Sequence, residues 1–373
     1  WLANSTSHHC EWEFVSCNEN GSVISLDLAS KGLQENLPAE VGRLSNLKEL
    51  SLNENLLNGQ LPMELYSLTM LTWMDIANNL LSGSLDDDIG QLTGLRVLFG
   101  GGNRFQSIPT TIAKLQSLEV LSFVNGGLNS TIPAVLPSSL TSLSLGSNKL
   151  HGAILPLNTL GNLRELSLGY NNLSGQVPAG GEMTALTRML LNDNRFDSLP
   201  SELGNMALLE SFNAANNLLD SSIPSELFGV STLASLRLEN NTLTGPLPTD
   251  MSALGRLGSL YLNDNRISGP IPSELGTMRS LSILELGYNR LTSTLPSELS
   301  KLNLRVFDVR ENLLSGSVPA LLNHQWSKIR TAYFYSNNCT GGLENLFCDN
   351  NRVSLKTFEA DCEVICTCCT GCK

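Results

Sequence analysis

Long apolar runs are missing from this 373-residue chain, and no stretch approaches the roughly 18 residues that would cross a bilayer. A basic segment leading into an apolar one is missing at the start as well. The chain opens at Trp1, so a secreted protein would be read here in its processed form. Basic stripes are lacking too: with 23 basic against 35 acidic residues and a net charge of -12, neither nucleic acid nor an anionic membrane surface is an expected partner. Cysteine is absent between Cys17 and Cys339, which leaves all nine cysteines at the two ends, a placement that reads as capping. Catalytic signatures are scarce. No G-x-S-x-G, H-E-x-x-H or phosphate-binding loop occurs, and His8, His9, His151 and His324 are scattered. Enzyme activity, a cofactor and a metal are therefore not expected.

What the chain has is repetition. The stretch LRLENNTLTGPLPTDMSALGRLGSLYLNDNRISGPIPSELG, from Leu236 to Gly276, says nearly the same thing twice. Length and 41% hydrophobic content alone would suggest two domains, but a period overrides that prior. Aligned on L-x-x-L-x-L-x-x-N, the sequence has fourteen starts, from Val23, Leu47 and Leu71 to Leu304 and Ile329, at steps of 22 to 25 residues. This is the period of a leucine-rich repeat. The ninth position is Asn in twelve of the fourteen, Lys31 and Gly126 being the exceptions, so an inward polar ladder is expected. An amide donates and accepts at once, and such an Asn would satisfy backbone groups of its own turn and of the next coil. A single coil cannot bury its apolar face, so stacking folds the chain and caps must cover the ends.

The back half of each repeat reads x-L-x-G-x-I/L-P, with proline at Pro62, Pro200, Pro224, Pro272 and Pro296 among others. Proline there blocks a continuous helix and can open a short helical turn. The following Ser201, Ser225, Ser273 and Ser297 begin a recurrent S-E-L, turn-favouring serine followed by an early carboxylate. Asp86, Asp87 and Asp88 stand where the third repeat lacks its proline, and they read as a solvated loop opening a helix rather than a calcium site.

This half-repeat resembles the plant-type leucine-rich repeat of receptor-kinase ectodomains and polygalacturonase-inhibiting proteins. HHCEWEFVSC resembles their N-terminal cap, C-x-W-x-G-V-x-C: Cys10, Trp12, Val15 and Cys17 match, while Phe14 replaces the glycine. The tail, NNCTGGLENLFCDN followed by EADCEVICTCCTGC, is instead similar to tails of secreted repeat proteins of diatoms and related algae. The expected fold is an α/β repeat, a right-handed leucine-rich repeat solenoid of about fourteen coils with one parallel concave sheet and disulfide-stabilised caps. Residues 1–22 would form the N-terminal cap, 23–338 the solenoid and 339–373 the C-terminal cysteine-rich cap.

Cysteines at both ends make sense as cross-links in an oxidising compartment. Cys10 is expected to pair with Cys17, and Cys339, Cys348, Cys362, Cys366, Cys368, Cys369 and Cys372 mostly among themselves, with one left over. A zinc reading of the last five is open on their number, but C-x3-C-x-C-C-x2-C fits no common zinc pattern. Six N-x-S/T sequons, at Asn4, Asn20, Asn129, Asn172, Asn240 and Asn338, agree with secretion and mark candidate glycosylation sites. None falls on the outward strand positions, the third, fifth and seventh of each repeat.

Those outward positions carry the candidate partner-binding residues. Trp73, Val97, Phe99, Val120 and Val124, with Gly101 and Gly102 beside them, form an apolar group over repeats three to five. Tyr261, Tyr288, Arg310, Tyr333 and Tyr335, with Glu285, Asp308 and Glu311, mix rings with charge near the C-terminal end, a combination suited to sugars or peptides. The expected function is a non-enzymatic, extracellular recognition or adhesion module that binds a protein, peptide or glycan on its concave face. The alternative is a structural component of a wall, matrix or appendage, assembling with itself or other proteins through flanks and caps.

Overall fold

The computed structural model describes residues 9–154, 157, 160–319, 328–340 and 356–360, with the backbone of 371–372. The chain forms two compact units, Trp1–Leu173 and Ser174–Lys373. Each is a stack of leucine-rich repeat coils, and the fold is a leucine-rich repeat solenoid with a parallel sheet.

In the first unit the strands follow the repeat starts. Val23–Asp27, Glu49–Ser51, Trp73–Asp75, Val97–Phe99, Val120–Ser122, Ser142–Ser144 and Glu165–Ser167 pair in parallel. Register sets the core: Leu26, Leu50, Met74, Leu98, Leu121, Leu143 and Leu166 lie opposite one another and all are buried. A strand's side chains alternate between faces, so the L-x-L of the repeat points into the coil and the residues between point out. The second unit repeats this with larger side chains at some levels: Met189, Phe212, Leu236, Leu260, Leu284, Phe307, Ala332 and Phe358 face each other, all buried. Burying each large apolar side chain contributes about 1.5–3 kcal/mol, and only the neighbouring coils supply the cover.

The last pairing extends the sheet beyond the repeat that starts at Ile329. Thr357–Ala360 pairs in parallel with Thr331–Tyr333, and Gly371–Cys372 continues onto it, so part of the cysteine-rich tail adds strands to the sheet. The sequence hid this because Phe358 and Ala360 replace the leucines. Phe358 closes a run of rings, 6.0 Å from Phe334, which is 5.4 Å from Phe307.

The helical part of a coil is a single 3₁₀ turn. Such turns follow Pro38, Pro62, Pro109, Pro200, Pro224, Pro272 and Pro296, each proline being extended with ψ between 133° and 155°. Where Asp86 replaces proline, its side chain accepts a hydrogen bond from the Asp88 N–H at 2.9 Å and caps the turn.

The asparagine ladder is present, with one difference of direction. Asn55 Nδ2 donates to the carbonyls of Leu52 and Leu28, both at 2.8 Å, while its Oδ1 accepts from the N–H groups of Lys31 and Leu33. Asn265 does the same toward Leu262, Leu238 and Leu243. Each amide thus ties its own turn to the preceding coil, not the next one. The residue before each asparagine is left-handed, including Glu54 at φ 58°, Asp264 at 57° and Tyr288 at 54°, a conformation that turns the chain out of the strand.

At the N-terminal end Cys10 and Cys17 are joined by a disulfide, and Val15–Cys17 pairs antiparallel with Val23–Asp27. Phe14, standing at the glycine of the cap pattern, is left-handed with φ 74°. Its ring packs under Lys31 Nζ at 3.7 Å, a contact a glycine could not make. Cys339 lies on the described strand Asn338–Thr340; Cys348, Cys362, Cys366, Cys368 and Cys369 lie outside the described residues, as does the side chain of Cys372.

Candidate functional site

In the first unit the apolar candidates come together on adjacent strands. Trp73, Val97 and Val120 occupy one row across three strands, and Phe99 lies in the next row between Asp75 and Ser122. Trp73 and Phe99 meet edge-on with ring centroids 5.5 Å apart, and Trp73 keeps 39% of its surface exposed. Val124 is exposed one row further along, beside Gly101. The glycines there have separate reasons. A Cβ on Gly100 would lie 2.3 Å from the Phe123 ring, one on Gly101 would lie 2.5 Å from the Val124 carbonyl oxygen, and Gly102 is left-handed at φ 65°. Phe123, larger than the usual leucine, is buried and meets Phe105 edge-on, so the first glycine makes room for a core ring. The second leaves a shallow, side-chain-free strip next to the aromatic pair. Asp75 is the polar member of this surface; burial pushes its carboxyl above the usual range despite the Ala77 N–H that it accepts.

In the second unit the strand register builds a row of different chemistry. Arg237, Tyr261, Glu285, Asp308, Tyr333 and Glu359 stand side by side on successive strands, about 4.8 Å apart. Two clamps flank the centre of this row. In the first, Arg237 donates through Nε and Nη2 to Glu239 Oε1, two residues further along its own coil, and its guanidinium lies 4.7 Å from the centre of the Tyr261 ring. In the second the order of charge is reversed. Arg310 Nε donates to Asp308 Oδ2 at 2.8 Å, Nη1 donates to the Tyr335 hydroxyl at 3.1 Å, and the guanidinium sits 4.1 Å from the Tyr333 ring centre. Asp308 is buried, and desolvation raises its pKa although the hydrogen bonds and charge of Arg310 oppose the shift.

The sequence candidates therefore separate into surface and support. Tyr333 and Tyr261 are half-buried with Arg-facing rings, and Tyr288 is exposed. The Tyr288 hydroxyl is raised above its usual range by its hydrogen bond with Tyr335. Tyr335 itself is only 3% exposed and holds Arg310 from behind, so it acts on the surface through the guanidinium. Glu311 lies at the edge, where it accepts from the Ser336 hydroxyl. Sequence reasoning missed Arg237, Glu239 and Asn263. Arg237 occupies the fifth column, which carries Asp308 and Tyr333, and Glu239 and Asn263 occupy the seventh, which carries Arg310 and Tyr335; reading those columns through every repeat would have found them.

Glu285 stands between the clamps. Burial raises its pKa, Asp308 and Glu239 push it further, and Arg310 and Arg237 oppose them. Of the six sequons, Asn4 is outside the described residues and the other five asparagines are exposed. Asn240 sits at the rim of the strand face, left-handed, with its amide donating to Asn216 Oδ1 at 2.8 Å. A cavity of about 500 Å³ lies at the first coil, lined mostly by Leu26, Leu28, Leu37, Val41 and Leu44; it continues the apolar core and is separate from both surfaces. Among the described residues one group has metal-ligand geometry, His9 with Cys10 and Cys17, and the disulfide occupies both sulfurs. No helix among the described residues is long and apolar enough to cross a membrane.

The repeats match the Leucine Rich Repeat family profile at residues 162–181, 256–278 and 280–302. Receptor-like kinase TMK2 of Arabidopsis thaliana is 27% identical over 228 residues, which cover 58% of this chain and 26% of the kinase. The crystal structure of PEPR1-AtPEP1 is similar with a TM-score of 0.82 and 29% identity, covering 90% of this chain and 48% of that one. The ectodomain of the Arabidopsis receptor kinase HAESA, solved with an IDA peptide hormone ligand, is similar with a TM-score of 0.75 and 28% identity, over 95% of this chain and 64% of that one. The repeats are thus of the plant type seen in receptor ectodomains, and the chain spans about a quarter or less of the length of these curated receptor kinases.

Proposed function

We propose that this protein is a non-enzymatic extracellular recognition module that binds a peptide, or an extended segment of a protein, across the outward faces of its parallel strands. The observation that carries this reading is the in-register row from Arg237 to Tyr333, in which rings and charges are fixed at strand spacing and left uncovered by any other element among the described residues. An extended peptide presents side chains at a comparable spacing, and rigid Tyr and Arg side chains already held in place lose little freedom on binding. The HAESA ectodomain solved with a peptide hormone supports the reading by similarity. Trp73, Val97, Phe99, Val120 and Val124 would serve as an apolar anchor surface on the first unit. Secretion, glycans at the exposed sequons and a division into cap, solenoid and cap at 1–22, 23–338 and 339–373 belong to the same proposal, as does the algal character of the tail. A glycan ligand and an adhesive role are further variants of it.

The test is capture of partners from the native extracellular fraction, followed by binding to variants. Truncating a well-packed aromatic anchor typically costs about 2 kcal/mol or more. Trp73→Ala with Phe99→Ala should weaken capture strongly while the melting transition stays cooperative. Ser201→Ala and Ser273→Ala, both exposed on the 3₁₀ turns, should leave it intact. Equal binding by the aromatic double variant would remove the first-unit surface from the reading.

One observation favours the structural alternative: beyond the Cys10–Cys17 pair the sequence has seven cysteines, an odd number that invites a link between chains. Light scattering with and without reductant distinguishes the two, since a monomer under both conditions favours recognition and a reductant-sensitive oligomer favours assembly.

A further inference from the structure

The centre of the second-unit row has acceptors without donors. The Glu285 carboxylate makes no hydrogen bond or ion pair among the described residues, while its backbone carbonyl accepts from the Leu262 N–H. The two guanidinium groups nearest to it along the row are already committed, Arg237 to Glu239 and Arg310 to Asp308 and Tyr335. Glu239, 7% exposed, uses Oε1 for Arg237, and its other oxygen is buried without a partner. On the intervening coil Asn263 Oδ1 is likewise buried without a partner, its amide nitrogen being spent on Asp264. Beside Glu285, at the seventh position of its own repeat, stands Gly287. No side chain fits there, because a Cβ would fall 2.8 Å from Asp308 Oδ1 and 3.2 Å from Arg310 Cγ. The second clamp thus covers the Gly287 backbone, and what the row leaves is a half-buried Glu285 carboxylate without a donor, with buried unpaired oxygens of Asn263 and Glu239 on the two coils before it, on a protein that carries a net charge of -12.

We infer that the Glu285 carboxylate receives a cationic group of the ligand, the guanidinium or ammonium of a basic peptide side chain. The inference rests on the peptide reading above and names the chemistry of one ligand position. Burying polar acceptors without donors costs free energy, and a group that brings several N–H donors and a positive charge is what removes that cost. A divalent metal fits less well, because among the described residues these carboxylates do not converge within 4.8 Å as metal ligands would. A multi-donor organic cation spans neighbouring strands without such convergence. The two internal clamps show that a guanidinium between a carboxylate and a tyrosine ring suits this spacing.

A displayed library of random 14-residue peptides, selected against the full chain, tests this. Enriched peptides should share an Arg or Lys. For a synthetic enriched peptide, replacing that Arg by citrulline, or that Lys by acetyl-lysine, and Glu285→Gln in the protein should each weaken binding at least ~10-fold. Combining the two changes should cost little more than either alone, because a paired charge is lost once. A cooperative melt of the Glu285→Gln protein controls for folding. Enriched peptides without a shared basic residue, or unchanged binding by Glu285→Gln, overturn this inference and leave the peptide reading standing. Failure to enrich any peptide overturns the peptide reading and the inference with it.

Discussion

The outward surface of the first unit and that of the second stand on the same buried frame and differ in what they ask of water. Around Trp73 and Phe99 the strands expose carbon over a strip of glycine, with Asp75 as the polar member. Around Glu285 they hold charges in a partly dehydrated row in which Glu285 and Asp308 both have raised pKa values, burial being the largest cause for each. The first surface tolerates contact with water at a modest hydrophobic cost. The second is electrostatically unfinished. The difference teaches that a leucine-rich coil separates folding from recognition: alternate residues of each strand are spent on the core, and those between can change chemistry without touching it.

The largest effect should test whether the frame is shared. Leu98→Ala and Leu260→Ala remove fully buried side chains at the same repeat position in the two units, and each should cost about 2–5 kcal/mol in denaturant unfolding. Losses that differ by more than that range would mean that the two surfaces rest on unlike frames.

Next, Gly100→Ala should destabilise the protein by about 1–3 kcal/mol, since its methyl meets the Phe123 ring, and Phe123→Leu should rescue most of the loss. No counterpart is expected at Gly258 of the second unit, where a Cβ meets nothing nearer than 3.6 Å. A Gly100→Ala protein as stable as the parent would show that the ring and the glycine strip are independent.

The smallest effect sharpens the electrostatic contrast. Glu285 has a raised pKa, so the folded state holds a proton that the unfolded chain releases more readily. Its contribution to stability is therefore most favourable in acid and is lost as pH rises from the ordinary carboxylate range through the raised folded value. Glu285→Gln should thus raise the melting temperature near pH 7, and the gain should vanish below the ordinary carboxylate range. Asp308→Asn should destabilise instead, because the half-buried Arg310 guanidinium then loses its charged partner. A pH-independent gain at Glu285, or a gain at Asp308, would contradict the assignment of roles within the row.

Much of this was legible in the residues. The period of L-x-x-L-x-L-x-x-N placed the strands and the inward leucines, and the prolines placed the 3₁₀ turns, because both depend on local geometry that each repeat states again. The outward columns also brought Trp73 beside Phe99 and Tyr261 toward Tyr333. Other features were not legible. Tyr335 reads as a surface ring but is buried behind Arg310, and Thr357–Ala360 lacks the leucines that would mark it as a strand. The pairing of Arg237 with Glu239 joins residues two apart in sequence, yet the π-face that completes the clamp comes from Tyr261 on the next strand.

By itself, then, the sequence determined the repeat, the alternation of inward and outward side chains, the inward asparagines and the cysteine-bearing ends, since these follow from a period, a strand's two faces and the hydrogen-bonding capacity of an amide. Only the tertiary structure decided that each asparagine reaches back to the preceding coil, that Gly100 yields its space to Phe123, and that Glu285 is left facing acceptors while both neighbouring guanidinium groups are engaged. Those outcomes depend on strand register and on which hydrogen bonds are already taken, and residues about 24 positions apart in sequence become neighbours only once the coils are stacked.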